Sequence, residues 1–517
     1  MLYYITFSFV LSIFLKSNSI YDKFSLMCRS FYHKLSSFRI IKIYTHYKKY
    51  KGGILTKHYQ TKYFGTDGFR GEAGVTLTSM HAYQIGRFLG WYFYNGQSLC
   101  DRPKIVIGKD TRRSSYMLEY SLAAGLTASG ADAYMLHVTT TPSVSYITKQ
   151  EAFDCGIMIT ASHNPYFDNG IKIINRNGEK AEDALLMMIE NYLDGNLTAL
   201  DLKEDIPFEK RDRIGCIVDY SAGRNRYIAY LIALASHSYK HLRIGLDCAN
   251  GASFAIARAV FSALGAQMEM IGAEPDGLNV NLDCGSTHIE KLCRLVKEKN
   301  LDVGFAFDGD ADRCIAVDEC GNVVDGDRIL YILAKRFTER NMLENHTVAV
   351  TVMSNSGLTA SLWKEGVQCV QTAVGDRFVY ECMIENGYSL GGEQSGHIIM
   401  KKYATTGDGI LTALMLTEEI CDKKSTLSSL SEGITLYPQY VENLKVRDKE
   451  AVFSDAFICH KTKEIETAIG GNGRILLRKS GTESVIRIMV ECENAEKCKE
   501  YACEIASIIK ERGYGFE

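Results

Sequence analysis

Short apolar runs alternate with helical patterns from residue 104 onward, and nearly every run empties into a polar loop. Lys104 to Gly108 reads as a strand and Ser115 to Ser129 as a helix stopped by Gly130. Ala131 to His137 is another strand, Ser143 to Lys149 a helix, and Gly156 to Ala161 a further buried strand. Repeated βαβ units leave few folds open: parallel-rich sheets covered by helices, with ligands at the carboxyl ends of the strands. The pattern recurs with strands at Arg243 to Asp247, 267–272 and Val303 to Phe307, and helices at 253–264 and His288 to Lys299. It returns with a helix at Arg328 to Glu339 and a strand at Val348 to Met353. The last stretch differs: a strand from Ile475 and a helix from Ala495 to Arg512 describe a small α+β unit.

At 517 residues the chain exceeds what one core organises, so several domains are expected. The fold class is α/β, with three mixed βαβ sheet domains followed by a small α+β C-terminal domain, around a central cleft. The expected domains are 58–220, 221–324, 325–436 and 437–517, after an extension at 1–57. A net charge of −3 gives no global attraction to nucleic acid or to an anionic membrane. Sixteen cysteines are scattered without a CxxC pair, which reads as free thiols rather than disulfides or zinc.

The loops at the strand ends carry the chemistry. Gly156 to Ala161 ends abruptly in Ser162-His163-Asn164-Pro165, where the proline blocks any continuation of regular structure. Asn169-Gly170-Ile171-Lys172 follows closely and brings a cation to the same crevice. The loop Gly108-Lys109-Asp110-Thr111-Arg112-Arg113 is expected chiefly to support the Ser162 loop. Val303 to Phe307 feeds Asp308-Gly309-Asp310-Ala311-Asp312-Arg313, whose three carboxylates would repel one another unless a cation sat among them. Ligands of this hardness suit Mg²⁺. An EF-hand is disfavoured, because a strand and not a helix precedes the loop.

Three further stretches fit anions or sugars. In Tyr63-Phe64-Gly65-Thr66-Asp67-Gly68-Phe69-Arg70-Gly71, glycines allow close backbone approach and Arg70 offers a forked donor. In Gly391-Gly392-Glu393-Gln394-Ser395-Gly396-His397, Glu393 and Ser395 in an extended loop would point the same way and could hold vicinal hydroxyls. In Arg478-Lys479-Ser480-Gly481-Thr482, a guanidinium, two hydroxyls and freed backbone N–H groups form an anion nest, with Arg487 on the next strand as a second contact.

Ile159-Thr-Ala-Ser-His-Asn-Pro followed by Asp168-Asn-Gly-Ile-Lys resembles the phosphoserine loop of the α-D-phosphohexomutases. The other three loops follow in that family's order, and the resemblance spans about 62 to 513. It implies that Ser162 carries a phosphoryl group and exchanges it with a sugar phosphate. It implies one Mg²⁺ per chain on Ser162, Asp308, Asp310 and Asp312, and a sugar bisphosphate as intermediate and activator. Arg70, Lys172 and Arg313 would then stabilise the transferring group, with His163 and Lys172 nearest to act as base and acid. Glu393 and Ser395 would bind the sugar, and Arg478, Ser480, Gly481, Thr482 and Arg487 the phosphate that is not reacting. The domains become, in order, phosphoserine, metal-binding, sugar-binding and phosphate-binding.

Gln394 between Glu393 and Ser395 resembles the phosphoglucosamine mutase branch, where phosphomannomutase and phosphoglucomutase relatives commonly have Met. One departure is Ser484, which stands where the family usually has Pro. The branch implies interconversion of glucosamine 6-phosphate and glucosamine 1-phosphate in the cytoplasm, feeding UDP-N-acetylglucosamine and peptidoglycan precursors. The expected partner is a small sugar phosphate, with no nucleic acid or membrane, and a homodimer is allowed. A mutase acting on mannose or glucose phosphates and a non-catalytic sugar-phosphate-binding protein stay open as alternatives.

The first residues are compositionally foreign. Lys16 to Lys51 holds nine Lys or Arg against one acidic residue, and the uncharged run Leu2 to Leu15 suits neither a membrane span nor a secretory signal. Family members usually begin just before the Phe64-Gly65 motif. Lys51-Gly52-Gly53 can be encoded by a ribosome-binding sequence and Leu55 by an alternative start codon. The expectation is that 1–54 lies outside the working protein.

Overall fold

The computed structural model of the protein describes residues 62–65, 67–98, 101–470, 473–479 and 484–516. The extension at 1–57 lies outside these residues, as do Ser480, Gly481 and Thr482.

The first sheet unit runs β1 (Phe64–Gly65), β2 (Gly68–Glu72), α1 (Ser79–Tyr92), β3 (Lys104–Lys109), α2 (Arg113–Ala128), β4 (Asp132–Val138), α3 (Thr141–Gln150), β5 (Cys155–Ile159), β6 (Asp168–Asn175), α4 (Asp183–Leu193) and β7 (Ile217–Asp219). Its seven strands take the order β1-β2-β6-β5-β3-β4-β7. Strands β5, β3, β4 and β7 are parallel, and β6 runs antiparallel to both β5 and β2. Alternate residues of β3 enter two cores: Ile105 and Ile107 join one, Val106 the other. A strand buried on both faces reads as a continuous apolar run, which is why Ile105-Val106-Ile107 shows no alternation.

Helix α5 (Ser221–Leu234) leads to the second unit: β8 (Arg243–Asp247), α6 (Ser253–Ala263), β9 (Gln267–Ile271), α7 (Glu290–Lys299), β10 (Val303–Phe307), β11 (Cys314–Val317) and β12 (Val323–Val324), in the order β12-β11-β10-β8-β9. The third comprises α8 (Gly326–Glu339), β13 (Thr347–Thr351), α9 (Ser356–Lys364), β14 (Gln368–Thr372), α10 (Asp376–Asn386), β15 (Leu390–Gly392), β16 (Ile398–Met400) and α11 (Gly409–Lys423), in the order β14-β13-β15-β16. These two sheets share one hydrophobic core, in which Phe305 and Phe307 meet Leu330 and Leu414. The last unit is antiparallel, in the order β17 (Gln439–Lys445), β19 (Val485–Glu491), β18 (Arg474–Lys479), packed with α12 (Ala456–Ile469) and α13 (Ala495–Glu511) around its own core.

Two local differences from the sequence reading matter. β5 stops at Ile159 rather than at Ala161, because the chain must leave the ladder to bring Ser162 into the left-handed region at φ +52°. The stretch around Glu393 is not extended. Antiparallel β15 and β16 are joined by a tight turn in which Gly396 N–H donates to Glu393 O at 3.0 Å. The relation between Glu393 and Ser395 is therefore set by the turn and not by strand alternation. Among the described residues the cysteines are free, and no helix is long and apolar enough to cross a membrane.

Candidate active site

The centre of the site is the meeting of two loops, one after β5 and one after β10. Ser162 is buried, and its Oγ donates to Asp308 Oδ2 at 2.5 Å. A left-handed φ is costly for a side chain other than Gly, Asn or Asp, so the surroundings must impose it. Arg112 does much of this. Its guanidinium donates to the carbonyls of Ser162 (2.9 Å), Asn164 (2.8 Å) and Asp168 (2.9 Å), and to that of Pro165. Its Nε is held by Asp110 Oδ2 at 2.7 Å. Asn281, from the second unit, adds bonds to the carbonyls of Ser162 and Asn164 at 2.8 and 3.1 Å. Arg112 is thus the loop's scaffold, the supporting role expected of its segment, with both Nη groups directed to backbone.

The two loops touch so closely that glycine is required. A Cβ on Gly309 would lie 2.5 Å from the Ser162 carbonyl oxygen. Around that contact Asp308, Asp310 and Asp312 are all buried and bring carboxylate oxygens within 4.8 Å of one another. Asp310 Oδ1 and Asp312 Oδ1 are buried without a hydrogen-bond partner. Burial, reinforced by Asp312 and Asp310, drives the Asp308 carboxyl well above the usual carboxylate range. Three hard oxygen donors, two of them orphaned, fit a divalent cation, which would relieve the repulsion. This triad can bind a metal ion.

Cations ring the triad. Lys172, opposite Met158 in the β5–β6 pairing, places its Nζ 2.9 Å from Asp310, 3.2 Å from Asp312 and 3.2 Å from Asp67. Burial opposes the Lys172 charge, but those three carboxylates outweigh it and hold the ammonium well above its ordinary range. Arg313 donates its backbone N–H to Asp308 Oδ1 at 3.2 Å, and its Nε is buried without a hydrogen-bond partner. Arg70 is paired with Asp67 and reaches Asn164 Oδ1 at 3.2 Å. His163 Nδ1 lies 3.3 Å from Ser162 Oγ. Burial, with Arg313 and Arg70 nearby, pushes its ring down to about 4, so it is neutral at pH 7.

Glu393 is half-buried, and its Oε1 accepts from Gly375 N–H at 3.1 Å; Ser395 is exposed. The Glu393 charge acts on both Arg313 and Arg478, raising each guanidinium against the burial that lowers it. Arg478 and Arg487 are direct cross-strand partners, Arg478 half-buried and Arg487 exposed. Burial and then Arg487 lower the Arg478 guanidinium. Like charges directly opposite destabilise a sheet unless an anion lies between them.

Several groups escaped the sequence reading. Thr141 N–H donates to Asp310 O at 3.0 Å, and its hydroxyl donates to Asp310 Oδ2. The signal was present, since Thr139-Thr140-Thr141-Pro142 is another polar loop at the end of a parallel strand. His397, Asp376, Lys180 and Asp67 also join the charge system. His397 lies between Asp312 Oδ1 (3.6 Å) and Asp376 Oδ2 (3.4 Å). Burial opposes the His397 charge, but Asp376 and Asp312 raise the ring to about 9. The Gly407 N–H points at Nε2 at 3.0 Å, as it would to a neutral ring.

Four family models match in succession: phosphoglucomutase/phosphomannomutase alpha/beta/alpha domain I over 61–199, domain II over 225–321, domain III over 325–437, and the C-terminal domain over 441–508. The phosphoglucosamine mutase of Lachnospira eligens is 57% identical over 454 residues, covering 88% of this chain and 99% of that one. That of Lachnoclostridium phytofermentans is 54% identical over 453 residues, covering 88% and 99%. Among solved structures, a phosphoglucomutase/phosphomannomutase family protein from Burkholderia thailandensis aligns at a TM-score of 0.70 and 22% identity, over 87% of this chain and 98% of that one. The N-acetylphosphoglucosamine mutase of Aspergillus fumigatus, solved with GlcNAc-6P and magnesium, aligns at 0.61 and 16% identity over 88% and 97%.

Proposed function

The chain belongs to the phosphoglucosamine mutases of the α-D-phosphohexomutase family, and we propose that it interconverts glucosamine 6-phosphate and glucosamine 1-phosphate by passing a phosphoryl group through Ser162. The observation that carries the reading is the Ser162 hydroxyl, held at a strand end 2.5 Å from a buried triad of carboxylates. In the first half-reaction the P–Oγ bond of phosphoserine 162 breaks and a bond to the free hydroxyl of the sugar phosphate forms, giving a bisphosphorylated sugar. That intermediate turns over, and its other phosphoryl group returns to Ser162, releasing the isomeric monophosphate. The hydroxyl's proton needs an acceptor, and Ser162 Oγ needs a donor when it leaves.

Of the two candidate groups, His163 is in the accepting form and Lys172 in the donating form. Lys172, Arg313 and Arg70 supply fixed positive charge where the transferring oxygens would lie. Asp308, Asp310 and Asp312, with an oxygen of the phosphoserine at Ser162, are the groups that would hold Mg²⁺, which when bound neutralises charge on the phosphoryl oxygens. Glu393 and Ser395 would meet the sugar's polar groups. Arg478 and Arg487, with Ser480, Gly481 and Thr482, would grip the phosphate that is not reacting. The fourth sheet has a core separate from the other three, which suits a unit that must hold two substrate orientations.

The test is a coupled assay of the purified enzyme on glucosamine 6-phosphate, mannose 6-phosphate and glucose 6-phosphate. The expected result is the highest kcat/KM for the amino sugar. A preference for mannose or glucose phosphate would reassign the substrate while leaving Ser162 as the carrier.

A further inference from the structure

Six ionisable side chains around the triad close into a ring in which acidic and basic groups alternate. Lys172 Nζ lies 3.2 Å from both Asp67 Oδ1 and Asp312 Oδ2. Asp312 faces His397 at 3.6 Å, His397 faces Asp376 at 3.4 Å, Asp376 pairs with Lys180 at 2.8 Å, and Lys180 returns to Asp67 at 3.2 Å. Each acidic member has two basic neighbours and each basic member two acidic ones, so displacing one removes a contact from both of its neighbours. The ring crosses three sheets. Asp67, Lys172 and Lys180 come from the first unit, Asp312 from the loop after β10, and Asp376 and His397 from the third unit.

Adhesion between the first and third units does not require this ring. Arg377 already binds Asp183 through two bonds at 2.5 and 2.9 Å, Tyr380 donates to Glu179 at 2.8 Å, and Ser145 meets Thr405 at 2.9 Å. Burying further charge is costly and seldom adds net stability. What distinguishes the ring is its contents. It contains one candidate metal ligand, Asp312, and the lysine that touches two of the triad, Lys172.

We propose that Lys180 and Asp376 are positioning residues for phosphoryl transfer, bracing the Lys172 ammonium through Asp67 and the Asp312 carboxylate through His397. This rests on the reading of Ser162 as phosphoryl carrier. Neither residue touches the reacting atoms. Their ion pair couples the third unit, which carries the Glu393 turn next to His397, to the geometry of the charge that receives the phosphoryl group. A displacement of about 1 Å in such a group can lower turnover about 100-fold.

The experiment compares Lys180→Met, Asp376→Asn and the double variant with Lys180→Arg and with Arg377→Met, the latter removing a bridge between the same two units outside the ring. Steady-state kinetics on glucosamine 6-phosphate, thermal unfolding and Mn²⁺ titration are measured for each. Each single ring variant is expected to lose about 10- to 100-fold in kcat, with KM changed far less. The double variant should be little worse than either single one, because both break the same ring. Lys180→Arg should recover most of the activity. Mn²⁺ affinity should fall about 10-fold in Lys180→Met and in Asp376→Asn, as it does when outer partners of metal ligands are lost. Arg377→Met should unfold earlier yet keep its kcat and Mn²⁺ affinity.

Unchanged kcat and Mn²⁺ affinity in the folded ring variants overturns the proposal, and so does an equal loss in Arg377→Met. If Lys180→Met does not fold, the isosteric Asp376→Asn decides alone. If the unmodified enzyme is inert on glucosamine 6-phosphate, the substrate reading fails by itself, and the Mn²⁺ titration still decides the ring.

Discussion

Asp308, at the end of β10, accepts a 2.5 Å hydrogen bond from Ser162, which stands just beyond the end of β5 in another sheet. Each strand end would be an ordinary polar loop alone. Their meeting places a nucleophile-type oxygen on a triad of carboxylates. Replacing Ser162 with Ala should therefore lower turnover by at least about 10³-fold while leaving far-UV circular dichroism unchanged. Mass spectrometry of the native enzyme should find a phosphoryl group on the peptide containing Ser162. An Ala variant with native turnover would end the phosphoserine reading.

The orphaned oxygens of Asp310 and Asp312 predict a metal-dependent stability. Mg²⁺ at about 100 times its Kd should stabilise the native enzyme by about 2.7 kcal/mol. Asp310→Asn should abolish most of that gain, as read by the Mg²⁺-dependent rise in Tm. An equal rise in the variant would place the metal elsewhere.

Arg112 makes its fork of bonds to four carbonyls of the Ser162 segment. Lysine carries the same charge but no fork, so Arg112→Lys should leave buried carbonyls without donors. The cost should be about 1–3 kcal/mol for each group left unpaired. The measurements are denaturant unfolding and kcat, both of which should fall. A variant as stable and active as the native enzyme would show that Asn281 suffices to hold the loop.

Glu393→Ala tests the turn between β15 and β16. If the carboxylate meets the sugar, its loss should lower kcat/KM for glucosamine 6-phosphate by about 1–3 kcal/mol in transition-state binding, and more if its partner is charged. An unchanged kcat/KM would remove the turn from the sugar site.

Asp327, in the first turn of α8, gives a pH prediction away from the active site. Burial, followed by the charge of Asp325, raises its carboxyl from 3.8 to about 7. The folded protein then holds a proton that the unfolded chain has released, so this group's contribution to stability falls as pH rises from about 4 to 7. Asp327→Asn keeps an acceptor for the Asn355 N–H without the charge. The variant should be more stable than the native protein by a few kcal/mol at pH 8, and nearly equal to it at pH 4. Parallel Tm–pH profiles for the two proteins would refute it.

The element types, the four loops and the chemistry each could support are legible in the order of residues alone, because those properties are local. Apolar runs such as Val303 to Phe307 are buried on both faces and match the strand the structure contains, and a carboxylate at every second position of the following loop reads as a cation site without any neighbour. The positions of proline and glycine mark the turns for the same reason, since their backbone restrictions act within a few residues. Which loops meet is settled by the assembled fold. Ser162 and Asp308 are 146 residues apart, and only the packing of the first sheet on the second, with Gly309 leaving room for the Ser162 carbonyl, joins them. Packing also sets protonation. Lys172 and His163 look alike in sequence as candidates for proton transfer, but one faces three carboxylates and the other two guanidinium groups. Lys180 and Asp376 carry no local signal, and within its loop His397 is not singled out from its neighbours. A charge pair reveals itself only when burial removes the water that would otherwise screen it, and that burial belongs to the assembled units.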